Sequence, residues 1–315
     1  MIKKTVAFTL LAYFTVALLI LLSGWAPIGG SGIPIFLSIS SLTPLYLWQR
    51  SYQKKMKLSK EINGRPKGVV IFWVFSLFFL ALLVRIPSVL LFNMPYEKAP
   101  LIYLLILTII LVERIDVSAF GFKTRKTVKA LLYGLAFYVI LGGTALLLLY
   151  LLIHVFTNQT PILSFNISSF LLSMPFQTLL VGISEEGLFR GYIQTHLQKF
   201  YTYKAVFIQA ALFGFWHFVW NISPLDPSGI AQYVATTFFI GLLFGYFYIK
   251  AKNLVPLILA HGLWNSVSTG MIENTAALDL LKQTPFLNQV LIWFLPYAIA
   301  ITVAFFFIKC LIKEI

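Results

Sequence analysis

Apolar residues run through this chain in long, nearly unbroken blocks. They do not alternate, and they do not leave the wet stripe of a soluble amphipathic helix. "LIYLLILTIILV" (101–112) and "ALLLLYLLIHVF" (145–156) are typical. A helix that is apolar all round is buried in a large core or in lipid, and a lipid span needs about 20 mostly apolar residues. Candidate spans fall at roughly 5–22, 32–49, 68–90, 99–112, 130–156, 170–195, 204–220, 229–249, 253–270 and 287–308. The span at 32–49 is the weakest, because it holds Gly, Ser and Pro. The pattern predicts an all-α, polytopic transmembrane helix bundle of about ten helices (eight to ten).

Composition sharpens this reading. The chain is 59% hydrophobic and only 11% charged, where soluble domains are about half apolar and a quarter charged. No polar stretch is long enough to fold separately, so residues 1–315 read as a single membrane domain. The basic start and the apolar run Val6–Leu22 exceed the about 7–15 apolar residues of a cleaved secretory signal, which predicts a retained first helix. The single cysteine, Cys310, leaves no internal disulfide and no cysteine metal cluster.

The formal net charge of +14 would suit a nucleic-acid partner until the positions are considered. Residues 50–67 carry seven basic side chains and 114–129 carry five. Lys3, Lys4, Lys199, Lys204, Lys250, Lys252, Lys309 and Lys313 add eight more. With ten spans, all twenty fall on one side. Only Lys98 and Lys282 fall opposite, and Arg85 and Arg190 lie within spans. By the positive-inside rule the charge is a topology signal. It predicts a multi-pass protein of the cell membrane with both termini cytoplasmic, partnered by the lipid bilayer and not by nucleic acid. Two glycosylation-type triplets, "NQT" (158–160) and "NIS" (166–168), fall in an external loop on this topology.

Ionisable residues inside spans point to function by default. Three clusters stand out. In "SEEGLFRGY" (184–192), Glu186 and Arg190 are four residues apart, acid first, which is the spacing and order of a helical ion pair. Glu185 points about 100° away around the helix and has no such local partner, so it is a candidate base; a helix-end glutamate is the structural alternative. In "FGFWHFVW" (213–220), His217 sits among aromatics, where a packing role competes with a catalytic one. In "LAHGLWNSV" (259–267), His261 and Asn265 share a helix face, suited either to an anion or carbonyl oxygen or to plain interhelical hydrogen bonding. His154 and His196 fall near span ends and read as interfacial. Arg85 reads as snorkelling to the surface, with pairing to a buried carboxylate or contact with substrate as alternatives. A carboxylate, two imidazoles and a carboxamide on three helices can together activate a water and stabilise an oxyanion.

In order, these motifs are E-E-x-x-x-R, F-x-x-x-H and H-x-x-x-N. The chain thereby resembles the CPBP family, which groups the CAAX prenyl endopeptidases with bacteriocin-processing and immunity (Abi) proteins. The resembling core runs roughly from 125 to 270, with residues 1–112 as additional N-terminal helices. The resemblance implies an intramembrane endopeptidase acting on a lipidated or membrane-inserted peptide or protein. In it Glu185 and His217 activate water, His261 and Asn265 stabilise the oxyanion, and Glu186 and Arg190 form a supporting pair. The family is described both as glutamate-dependent and as metallopeptidase. A Glu185, His217, His261 set could bind zinc, but the chain has no HExxH, which favours the metal-free form with no cofactor. One difficulty is visible in advance. On the ten-span sketch Glu185 and His217 differ in depth by roughly 10 Å, unless a helix tilts, breaks near Gly182 or Gly187, or ends elsewhere.

Two other functions fit the same composition. A non-catalytic immunity or scaffold protein would bind another membrane component, and loss of a motif residue would favour it; none is missing. A transporter would also place Glu, Arg and His in spans, but no inverted repeat or paired broken helices are visible.

Overall fold

The computed structural model describes residues 2–25, 32–62, 64–160, 164–272 and 285–315; Lys282, expected on the far side, lies outside them. Among the described residues the chain is a bundle of ten helices of ten residues or more. They are α1 (Ile2–Gly24), α2 (Gly32–Lys55), α3 (Lys67–Phe92) and α4 (Lys98–Leu107, continued by a π-helical Thr108–Glu113). Next come α5 (Thr127–Thr157), α6 (Ile167–Tyr201) and α7 (Lys204–Trp216, followed by a 3-10 turn Phe218–Asn221). The last three are α8 (Pro227–Ala251), α9 (Val255–Gly270) and α10 (Phe286–Leu311). The only strand pairing among the described residues is two residues long, Ser164–Phe165 against Met271–Ile272.

Six of these helices, α1, α3, α5, α6, α8 and α10, are long and apolar enough to cross a membrane. The shorter α4, α7 and α9 are not among them. Nine of the ten residues of α4 from Lys98 to Leu107 are buried. At about 1.5 Å per residue, helices of 13 or 16 residues fall short of the about 30 Å hydrocarbon layer.

Local chemistry sets the boundaries. Asp226 caps α8 by accepting from the backbone N–H of Gly229 at 3.0 Å, with Pro227 in the first turn, where its missing N–H costs nothing. These backbone and Ser228 hydrogen bonds also hold the Asp226 carboxyl below its ordinary range. Asn166 caps α6 through the N–H of Ser169 at 3.0 Å. Asn158 ends α5 in the left-handed conformation, which Asn tolerates better than most residues. Both glycosylation-type asparagines thus have structural roles at helix ends.

One end of the bundle gathers the basic segments. Ser59 forms a short bridge with Ile115, its N–H donating to the Arg114 carbonyl and its carbonyl accepting from the Asp116 N–H, and the Lys199 ammonium donates to the carbonyl of Ile62. Lys67 lies over the Tyr201 ring at 4.4 Å. The N–H of Leu254 bonds to the Gly121 carbonyl at 2.9 Å, and that of Ile315 to the Ala251 carbonyl at 3.1 Å.

Two large apolar cores form. One joins α1, α3, α4, α6 and α7 around Phe78, Leu105, Phe189 and Trp216. The other joins α5, α8, α9 and α10 around Phe137, Phe247, Leu257 and Ala304. The polar side chains of the three motifs lie along the seam between them. α6 and α9 approach closely across it because of Gly182, where a Cβ would stand 2.8 Å from the Ile258 carbonyl oxygen; small residues at helix contacts are how membrane bundles achieve such packing.

Candidate active site

Helix α6 delivers the two glutamates. Ile183–Glu186 is an α-helical turn between two π-helical stretches, Phe176–Gly182 and Gly187–Gln194. π-Turns recur at functional sites because the extra residue re-aims neighbouring side chains. Here Ser184, Glu185, Glu186, Arg190, Tyr192, Gln194 and His196 are all buried, a density of polar groups that a regular lipid-facing helix could not carry.

Gly182 and Gly187 therefore mark widened turns and not a break. The depth difficulty disappears for a different reason. α6 ends at Tyr201 and not near 195, so Glu185 stands 16 residues before that end, and His217 stands 13 residues after the start of α7 at Lys204. At 1.5 Å per residue the two rise about 24 and 20 Å from a shared turn and meet. His217 also lies past the last α-helical residue, Trp216, where the chain tightens into the 3-10 turn.

The structure brings Glu185, His217 and His261 together. Glu185 Oε2 lies 3.9 Å from His217 Nε2 and 3.7 Å from His261 Nε2. His217 Nδ1 is 2.8 Å from the Phe213 carbonyl, which can only accept, so Nδ1 carries the proton. His261 Nδ1 is 2.7 Å from Glu186 Oε1 and is fixed the same way. Both rings are thus turned so that Nε2 faces Glu185. Arg190 Nη1 donates to Glu186 Oε1 at 3.2 Å, as the four-residue spacing predicts, and its guanidinium stacks 4.2 Å from the Phe213 ring centroid. Glu186 therefore serves two partners, Arg190 and His261. Asn265 donates from Nδ2 to Gln177 Oε1 at 3.0 Å. It shares a cavity of about 170 Å³ with His217 and His261, lined also by Tyr138, Tyr233, Phe244, Trp264 and Tyr297.

Four expectations are corrected. Glu185 is not a lone carboxylate. Its Oε1 accepts from Lys98 Nζ at 2.6 Å and from Trp216 Nε1 at 2.9 Å, with Arg85 Nη1 at 3.8 Å. Lys98, expected in a loop just before a span, is instead buried as the first residue of α4, and Arg85 does not snorkel; each is about 1% exposed, and both touch Glu97 Oε1, at 2.7 and 2.6 Å. His196 is not interfacial but buried, with Nε2 3.1 Å from Glu113 Oε2, while Tyr192 donates to Glu113 Oε1 at 2.5 Å. His154, by contrast, is exposed near the end of α5.

Sequence reasoning missed Glu97, Lys98, Glu113 and Trp216. "YEKAP" (96–100) reads as a polar turn between spans, and nothing in its periodicity says that it folds inward. Arg85 did carry a signal, being a cation in mid-span. The partner that explains it is 12 residues away, across a turn.

Charges in this network balance. Arg85 and Lys98 face Glu97 and Glu185, and Arg190 faces Glu186. Buried charges are tolerable when paired and hydrogen-bonded in this way. The second oxygens of these carboxylates, Oε2 of Glu97, Glu185 and Glu186, are buried without a hydrogen-bond partner. Among the described residues no group of three or more His, Cys, Asp and Glu is set as a metal site.

Residues 167–267 match the family model described as type II CAAX prenyl endopeptidase Rce1-like. The matched segment holds all three motifs, from the start of α6 to α9, and the match supports placement among the CPBP/CAAX intramembrane peptidases. No curated protein and no solved structure matches the chain.

Proposed function

We propose that the chain is a membrane-embedded endopeptidase that hydrolyses a peptide bond of a lipidated or membrane-inserted peptide. The observation that carries this reading is the convergence of Glu185 Oε2, His217 Nε2 and His261 Nε2 within 4 Å, beside a cavity that Asn265 also lines. At 3.7 and 3.9 Å these atoms are too far apart to bond each other, and they are spaced to share one water.

Glu185 Oε2 and His217 Nε2 take the proton as that water attacks the substrate carbonyl. The developing oxyanion is held by His261 Nε2–H and the Asn265 amide. For His261 to donate from Nε2 while Nδ1–H is held by Glu186, the ring must take up a second proton from solvent before the water attacks and keep it through the reaction, and the Glu186 carboxylate 2.7 Å away balances the charge, as a carboxylate does behind a catalytic imidazole. Collapse of the tetrahedral intermediate returns the proton to the leaving amine.

The reaction on this reading is metal-free. Zinc on Glu185, His217 and His261 would need each donor at about 2.0–2.2 Å and would place a dication beside Lys98 and Arg85, which already lie 2.6 and 3.8 Å from Glu185 Oε1. The largely aromatic walls of the cavity suit an apolar substrate that arrives through the bilayer, with the basic end of the bundle cytoplasmic.

The test is cleavage of a pool of synthetic transmembrane and isoprenyl-cysteine peptides, reconstituted in vesicles with the purified protein and read by mass spectrometry. Glu185→Ala and His217→Ala should each lower the rate about 10²–10⁴-fold, the range for a general base. Cleavage that survives both changes overturns the mechanism. A wild type that cleaves nothing while folded returns the reading to a non-catalytic membrane partner.

A further inference from the structure

The matched family segment begins at residue 167, yet the two cations beside its Glu185 come from outside it. Two donors and a second cation converge on one oxygen, Oε1 of Glu185: Lys98 Nζ at 2.6 Å and Trp216 Nε1 at 2.9 Å donate to it, and Arg85 Nη1 stands 3.8 Å away. Lys98 opens α4 and Arg85 lies in α3. The other oxygen, Oε2, faces the two imidazoles and has no hydrogen-bond partner. The division of labour between the two oxygens is therefore fixed by Trp216 together with two cations that the three motifs do not include, Lys98 and Arg85.

We propose that Lys98 is a positioning residue for peptide-bond hydrolysis: it clamps Glu185 by Oε1, balances its charge, and leaves Oε2 as the single oxygen turned to the water and the imidazoles. This rests on the endopeptidase reading of the same site.

The geometry supports a role beyond packing. Lys98 Nζ bridges Glu185 Oε1 and Glu97 Oε1, at 2.6 and 2.7 Å, and Arg85 binds Glu97 from its own helix at 2.6 Å. Glu97 thus orders two cations that would otherwise repel each other. Trp216 contacts both, 4.3 Å from the Arg85 guanidinium and 4.9 Å from the Lys98 ammonium measured to the ring centroid, while its own N–H reaches Glu185. Each cation is therefore held by a carboxylate and by an aromatic face. A compact ammonium can touch two oxygens at one point, which a planar guanidinium does less well; that accounts for lysine at the bridging position and arginine at the outer one.

Without Lys98, two buried carboxylates share Arg85 alone. One of them must then take up a proton or turn away, and in either case Oε2 loses its place.

The experiment compares wild type, Lys98→Met, Lys98→Arg and Glu185→Gln, each purified and reconstituted with the same peptide pool. Lys98→Met should lower kcat about 10²-fold, the scale of a misplaced catalytic group, with KM nearly unchanged; Lys98→Arg should recover part of the loss. A second readout is independent of turnover. Infrared difference spectra of Glu-labelled protein at neutral pH should show a protonated-carboxyl C=O stretch in Lys98→Met that wild type lacks, smaller or absent in the Lys98→Arg variant.

If Glu185→Gln abolishes cleavage while Lys98→Met leaves kcat and the infrared spectrum as in wild type, the positioning role is overturned and the endopeptidase reading stands. If no protein cleaves but the carboxyl band appears in Lys98→Met, the clamp is real and the endopeptidase reading is what fails. Should Lys98→Met not fold, Lys98→Arg carries the test: kcat and infrared spectrum both at wild-type level would overturn the proposal.

Discussion

Replacing Arg190 by methionine removes one charge from the most enclosed ion pair among the described residues. Arg190 and Glu186 are both 0% exposed. The Arg190→Met change leaves Glu186 with His261 as its remaining partner, 2.7 Å away, and with a buried carboxylate no longer balanced by a fixed cation. Breaking a buried pair from one side costs about 3–5 kcal/mol, and loss of the stacking on Phe213 and Phe244, at 4.2 and 5.1 Å, adds roughly 0.5–2 kcal/mol. Taking about 3 kcal/mol as the minimum and roughly 2–4 °C per kcal/mol, Arg190→Met should melt about 6–12 °C below wild type in detergent. Glu186→Gln should cost a similar amount, because it strands Arg190 instead. The double variant should recover most of the loss. It buries no unpaired charge, and the new amide carbonyl at position 186 can still accept from His261 Nδ1–H. Activity should behave differently. The double variant lacks the anion behind His261, so cleavage stays low even where the fold is restored. Thermal unfolding of the four proteins, followed by tryptophan fluorescence, gives the coupling directly. A double variant melting at or below the worse single variant would refute the claim that the pair is held by mutual charge balance.

Two further outcomes follow from the same geometry. Gly182→Ala should force α6 and α9 apart by roughly 0.6 Å, from the 2.8 Å that its Cβ would make with the Ile258 oxygen to an ordinary 3.4 Å; kcat should fall about 10-fold or more with a smaller change in KM, since misplacing a catalytic group by 1 Å can cost about 100-fold. Chelation with EDTA or phenanthroline should leave the cleavage rate unchanged, and loss of activity that added zinc restores would overturn the metal-free reading.

The long apolar blocks make the helices legible, since a span of about 20 residues has few other fates. Each expected span start falls within three residues of an observed helix start. C-terminal ends are harder. Residues 196–201, "HLQKFY", look polar enough to be a turn, yet α6 runs on to Tyr201 because His196 is satisfied by Glu113 and Leu197 is buried. Hydropathy cannot see a partner 83 residues away. The same blindness hides half of the site. Glu185, Glu186, Arg190, His217, His261 and Asn265 can be grouped because they lie on local spacings within spans. Lys98 and Glu97 lie at the start of a helix, where charge is ordinary, and only the tertiary structure turns them inward.

That asymmetry has a physical origin. A carboxylate buried on α6 needs a cation, and the cation need not come from the same helix; it must only be held as firmly as the carboxylate it serves. α4 meets that need because Lys98–Leu107 is itself buried on nearly every side, so its first residue cannot drift toward water. The N-terminal helices thus enter the chemistry through electrostatics. A truncated chain without α1–α4 would keep every motif residue and lose the counter-charges for Glu185.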